Sequence, residues 1–143
     1  MPRVETEHAV GYLVKRVQLV LRRRCDDALR PTGVSMAQHA VLRALSDHPD
    51  ASAAQLARLC FVTRQSLRDV LNSLRSMGLV EPTEAPSRGR AQSLRLTPTG
   101  RERLRDSTSA VAEVETAMTQ GLPATAVAEL RALLTSCAEN LES

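Results

Sequence analysis

Aromatic side chains are nearly missing from this chain: of 143 residues none is tryptophan, one is tyrosine (Tyr12) and one is phenylalanine (Phe61). A base-stacking platform for single-stranded nucleic acid, or a pocket for a large aromatic cofactor, is therefore poorly supplied. Cysteine is scarce as well. Cys25, Cys60 and Cys137 are odd in number and far apart, without the short paired spacing of a zinc site or a disulfide framework. That usage fits a reducing cytosol. His8, His39 and His48 show no metal-ligand spacing, and neither a glycine-rich phosphate loop nor a serine on a nucleophile elbow is present. No metal, no cofactor and no enzymatic activity are expected. Long apolar runs are lacking too. The N-terminal stretch MPRVETEHAVGYLV carries acids ahead of a short apolar run that Lys15 ends, so neither a signal peptide nor a spanning helix is expected, and the location expected is cytoplasmic.

What is present fits one domain, with a core that buries roughly 70% of the surface the unfolded chain exposes. The formal net charge of +3 hides an uneven distribution. Residues 1–62 carry nine basic and six acidic side chains, residues 63–105 nine and four, and residues 106–143 one and six. The middle is basic and the tail acidic, so position matters more than the total. Of the 19 basic residues 18 are arginine. That richness can reflect genome composition and is given no functional weight.

Hydrophobic spacing predicts a mainly helical fold. From about Glu7 to Leu29, apolar residues at Val10, Leu13, Val14, Val17, Val20, Leu21, Cys25 and Ala28 recur at three- and four-residue steps, which makes a long amphipathic helix. Arg30 to Gly33, RPTG, stops it. Ser35 caps a second helix that turns Val41, Leu42 and Leu45 inward and ends near His48 to Asp50. Ser52 opens a short third helix, SAAQLARLC, and Thr63 caps a fourth, TRQSLRDVLNSLRSMG, which Gly78 stops. Only Phe61 and Val62 separate these two, so they form a helix-turn-helix unit. Two extended pieces follow, Leu79 to Glu81 and Ser93 to Thr97, around a loop with Pro82, Pro86 and Gly89, the pattern of a two-stranded β wing. Thr97 or Thr99 begins a fifth helix running to about Gln120. After the break at GLP, Val127, Leu130, Leu134, Cys137 and Leu141 space a sixth like a coiled-coil seam.

The fourth helix, about 24 Å long, sets Leu67, Val70, Leu71 and Leu74 toward the core and leaves Arg64, Gln65, Ser66, Arg68, Asp69 and Asn72 outside. Arginine, amide and hydroxyl groups can read base edges in a major groove wide enough to admit a helix. A basic surface helix alone is more often merely solvated. Here a tight turn precedes it and a hairpin follows that puts Arg88 and Arg90 at its tip, where arginine can reach a narrow minor groove. Together the three elements favour double-stranded DNA. The rival reading is a winged protein-interaction module that turns its basic face to an acidic protein.

These residues resemble the MarR family of winged-helix transcriptional regulators. Arg88, Gly89 and Arg90 followed by Leu96-Thr97-Pro98-Thr99-Gly100 fall in register with the family's wing pattern, and VSMAQHAVLRAL, QLARLCFVTRQSL and LRSMGLV look like its second to fourth helices. The resemblance covers nearly the whole chain. It implies that Arg90 enters the minor groove and that Ser66, Arg68, Asp69 and Asn72 meet bases or phosphates; Arg64, Gln65 and Arg75 are expected to assist at the backbone, and Thr63 is counted with them among the DNA-binding candidates. The family's wing aspartate is Arg88 here, so the acid that orients the arginine two residues on is replaced by a cation. Position 72, often aspartate, is asparagine. Phe61 stands where many relatives have glycine, and the expectation is that it packs beneath the turn.

A single helix-turn-helix touches too few base pairs to be selective, so two copies on a two-fold site are expected. The apolar faces of residues 1–32 and 101–143 exceed what the winged part, residues 33–100, can cover, and are assigned to dimerisation. Resemblance to a family with interlocked terminal helices favours a homodimer over an intramolecular bundle. It further implies a repressor on a pseudopalindromic operator whose affinity a small aromatic or anionic effector changes. Tyr12, Arg16, His39 and Arg43 are the candidates for its cleft, although a partly buried helix residue is the plainer role for His39. A second trigger is oxidation of Cys25, which follows Arg22, Arg23 and Arg24, since nearby positive charge lowers a thiol pKa. Against it, Cys25 shares the apolar stripe and Asp26 and Asp27 offset the arginines.

Overall fold

The computed structural model describes residues 3, 5–83 and 93–143. Six helices and one hairpin follow each other along the chain: α1 (Val10–Leu29), α2 (Met36–Asp47), α3 (Ala53–Leu59), α4 (Arg64–Ser76), β1 (Val80–Pro82), β2 (Leu94–Leu96), α5 (Pro98–Met118) and α6 (Ala124–Glu142). The first helix starts later than its apolar stripe predicts. Thr6–His8 forms a separate 3-10 turn, and Ala9, extended and without a side-chain cap, stands between it and α1.

Local chemistry sets the other helix starts. Ser35 and Ser52 each close a capping box, with Gln38 and Gln55 reaching back to the cap residue. Thr63 caps α4 and Thr97 caps α5, and Thr97 is chosen over Thr99 because its hydroxyl does two things at once. It donates to the Gly78 carbonyl at 2.7 Å and accepts the Gly100 N–H at 3.0 Å. One side chain thus ties the end of α4, the base of the wing and the start of α5 together.

Leu42, Leu67, Leu74 and Leu79 are fully enclosed, and Leu29, Val41, Leu56, Leu96, Val111 and Val114 complete a core that every element except α6 enters. Burying each such aliphatic side chain stabilises the fold by about 1.5–3 kcal/mol. β1 and β2 pair antiparallel, Val80 opposite Leu96 and Pro82 opposite Leu94, so the wing's base shares this core. The long α5 packs along α1 and joins the winged part to the terminal helices. No residue of α6 is buried. The outer stripe of α1, with Val10, Val14, Val17 and Val20 about half exposed or more, is likewise uncovered.

Both helices of the helix-turn-helix end in the same way. In α4 the Leu79 N–H bonds to the Leu74 carbonyl and the Gly78 N–H to that of Arg75, each at 3.0 Å, with Gly78 left-handed at φ 73°. In α3 the Val62 N–H bonds to Ala57 at 3.0 Å and the Phe61 N–H to Arg58 at 3.2 Å. Here the left-handed position is Phe61, at φ 55°. The expectation that Phe61 packs beneath the turn is overturned, because its side chain is 95% exposed. A left-handed Cα carries its side chain away from the helix it terminates, which a residue list cannot reveal.

Candidate nucleic-acid interface

Leu67 and Leu74 anchor α4 in the core, which fixes the opposite face outward. Thr63, Arg64, Gln65, Ser66, Arg68, Asp69, Asn72 and Arg75 are all exposed, as the sequence led one to expect. At 100° per residue, Arg64, Arg68, Asn72 and Arg75 form a continuous stripe, with Gln65 and Asp69 beside it. Ser76, not singled out from the sequence, shares this face, though its hydroxyl donates to the Asn72 carbonyl at 3.0 Å.

The polar groups on this face are partly pre-arranged. The Thr63 hydroxyl accepts the Ser66 N–H at 3.0 Å and donates to Ser66 Oγ at 3.0 Å, leaving the Ser66 proton free to donate outward. Gln65 Nε2 donates to Asp69 Oδ1 at 3.0 Å, which orients both and leaves Gln65 Oε1 as an acceptor. Among the described residues Arg64, Arg68 and Arg75 form no ion pair. Three unneutralised guanidiniums and an amide that can pair with an adenine edge are therefore presented together.

Not all of the basic middle segment is available in this way. Arg95 is paired with Glu81 across the wing at 3.1 Å, Arg101 donates to the Leu96 carbonyl at 3.2 Å, and Arg103 donates to the Thr32 carbonyl at 3.0 Å. These arginines fasten the wing and α5 to the body. Arg88 and Arg90, the expected wing-tip contacts, lie outside the described residues.

The four residues chosen for an effector cleft do not converge. Tyr12 and Arg16 are exposed on α1, and Arg43 is exposed on α2, 3.8 Å from Asp47. His39 is buried at 4% exposure, with Nδ1 2.7 Å from Ser107 Oγ on α5. Of the four, Arg16 borders the cavity of about 320 Å³ between α1 and α5 that Leu13, Val20, Arg24, Val114 and Met118 also line. Arg24 was missed, although it lies two turns beyond Arg16 on the same stripe.

Burial, and then the Arg43 charge, hold the His39 pKa below its ordinary 6.5, against an opposing pull from Glu115. The unfolded chain therefore takes up a proton as pH falls through 6.5 while the folded chain does not, so stability declines as pH drops from there to the lowered value. Thermal melts between about pH 8 and about pH 5 are expected to show this decline, with a shallower slope in His39→Gln; equal slopes would contradict it. For Cys25 the structure fits the apolar stripe and the flanking acids, not activation by the arginines. Cys25 is buried, and burial, Glu115 and Asp26 push its thiol up, so the neighbouring arginines do not activate it. Cys60 is raised by burial as well.

A helix-turn-helix with an exposed basic second helix, backed by a hairpin that shares its core, defines the winged helix-turn-helix class. The model of the MarR family matches residues 32–91. The chain is 40% identical over 92 residues to the HTH-type transcriptional repressor Rv2887 of Mycobacterium tuberculosis, a match spanning 64% of this chain and 66% of that relative's length. The crystal structure of the M. tuberculosis MarR family protein Rv2887 in complex with salicylic acid superposes with a TM-score of 0.74 at 31% identity, covering 94% of this chain and 99% of that one. The transcriptional repressor CouR bound to a 23-mer DNA duplex reaches 0.83 at 27% identity, covering 96% and 98%. The chain belongs to the MarR family. None of the described helices is long and apolar enough to cross a membrane.

Proposed function

We propose that this chain is a sequence-specific regulator of transcription that binds double-stranded DNA as a homodimer on a two-fold operator, acting as a repressor in the cytoplasm and not as an enzyme. The observation that carries this reading is the outward arginine and amide face of α4, held there by Leu67 and Leu74, on which Arg64, Arg68 and Arg75 form no ion pair among the described residues. Arg68, Asp69, Asn72 and Ser66 meet base edges. Arg64, Gln65 and Arg75 meet phosphates, with Arg88 and Arg90 of the wing reaching phosphate and minor groove. Relatives named as repressors, and the DNA complexes of Rv2887 and CouR, support the same assignment.

Regulation follows from the cavity between α1 and α5. Its aliphatic walls and the guanidiniums of Arg16 and Arg24 suit a small aromatic acid, and its volume lies at the lower end for ligand pockets. The Rv2887 complex with salicylic acid supports that ligand class.

Two substitutions separate base reading from backbone binding. Arg68→Ala is expected to relax preference at one position of each half-site, costing about 1–3 kcal/mol on the preferred duplex. Arg75→Ala is expected to weaken all duplexes alike and to reduce the slope of log affinity against log salt by about one per protomer. Anisotropy titrations on specific and random duplexes over a salt series check both. Equal losses on the two duplexes for both variants would contradict the division of labour.

A further inference from the structure

Phe61 contributes nothing to the core and occupies a backbone conformation that glycine, not phenylalanine, favours. The same chain closes α4 with the same pair of hydrogen bonds and places Gly78 at the equivalent position. The phenylalanine is therefore not demanded by the turn. Both its φ and its exposure weigh against stability, and a strained, exposed outlier of this kind is the signature of a contact made with something else.

Position says what that something is. Phe61 precedes Thr63, the cap of α4, by two residues, so its Cα lies within about 7 Å of the helix start. A major groove is about 12 Å wide. A side chain that far from a helix seated in the groove meets the groove wall, which is the sugar-phosphate backbone. Exposed Arg58 and Arg64 stand three residues to either side and can neutralise the flanking phosphates. Between two phosphates the surface left for an apolar ring is the C–H face of a deoxyribose.

We infer that the Phe61 ring is a DNA contact, packing on backbone deoxyribose at the edge of each half-site and extending the interface beyond α4. This rests on the DNA-binding reading above.

The test uses the full-length protein and a duplex that the wild-type chain selects from a randomised library. Phe61→Gly and Phe61→Asn both accept the left-handed backbone without the ring. Each is expected to bind that duplex about tenfold more weakly and to lose hydroxyl-radical protection of deoxyriboses flanking each half-site. Phe61→Gly is also expected to melt at a higher temperature than wild type, so weaker binding cannot be ascribed to a damaged fold. Wild-type affinity and an unchanged footprint in both variants would overturn the contact while leaving DNA binding intact. A wild-type chain that selects no duplex would overturn both readings.

Discussion

Gly100→Ala is expected to leave little folded protein at ambient temperature. A Cβ at this position would stand 2.0 Å from the Leu79 carbonyl oxygen and 2.9 Å from its carbon, closer than any real contact of this kind. Both sides of the clash are backbone. Leu79 is fully buried, its carbonyl accepts the Thr97 N–H at 3.0 Å, and Gly100 itself is held by the Thr97 hydroxyl. Neither segment can move without breaking the joint between α4, the wing and α5. Overpacking usually costs about 1–3 kcal/mol because side chains give way; with backbone on both sides the cost expected here is about 4 kcal/mol or more, in the exceptional range for one substitution. That is a large share of the roughly 5–15 kcal/mol that holds a domain together. Gly78→Ala is the comparison. It adds a left-handed penalty of about 1–2 kcal/mol, but the new methyl meets nothing within 4 Å. Chemical denaturation of both variants should place Gly78→Ala about 1–2 kcal/mol below wild type and Gly100→Ala far below both. Similar midpoints for the two would show that the wing joint is not close-packed.

That joint also explains a pattern the sequence displays without its reason. Leu96-Thr97-Pro98-Thr99-Gly100 reads as a family motif, yet only the structure shows Leu96 in the core, Thr97 bonded in two directions, and Gly100 pressed on a carbonyl. Features written in local chemistry were legible: the caps at Ser35, Ser52 and Thr63, the stop at Gly78, the buried faces of α2 and α4, and with them the exposed side chains that face outward from α4. Features that depend on a dihedral angle or on distant packing were not. Phe61 turned outward because the turn is left-handed. His39 is enclosed because α5 lays Ser107 against it, 68 residues away in sequence. Cys25 has a raised thiol because the fold buries it and, to a lesser degree, because α5 brings Glu115 near it, while the arginines beside it in sequence stand exposed. The four effector candidates were chosen by position on α1 and α2; of them, Arg16 lines the cavity between α1 and α5, whose other wall the sequence pattern of α1 and α2 does not display.

Val17→Glu and Leu134→Glu are each expected to give a monomer that has lost at least 100-fold of its affinity for a two-fold operator. The reason begins with α6, a helix of 19 residues with none buried. Leu130, Leu133, Leu134 and Leu141 are 36%, 57%, 49% and 89% exposed, and on α1 Val10, Val14, Val17 and Val20 range from 49% to 70%. So much aliphatic surface on two helices is more than a monomer in water ordinarily leaves open, and α6 has no intramolecular bundle to join. In the proposed homodimer a second copy covers it, and a carboxylate placed in that seam would lose hydration without gaining a partner. Tethering one α4 to its twin makes the second half-site contact intramolecular, which multiplies affinity by roughly 10² to 10⁴; dissociation forfeits that factor. Because both positions are exposed within one chain, neither substitution touches the winged core of Leu42, Leu67 and Leu74. Sedimentation velocity should therefore report half the mass with most helicity retained, while titration on a single half-site duplex should match wild type. Dimers that persist in both variants would mean that the terminal helices do not hold the two copies together, and the spacing of the two α4 helices would need another cause.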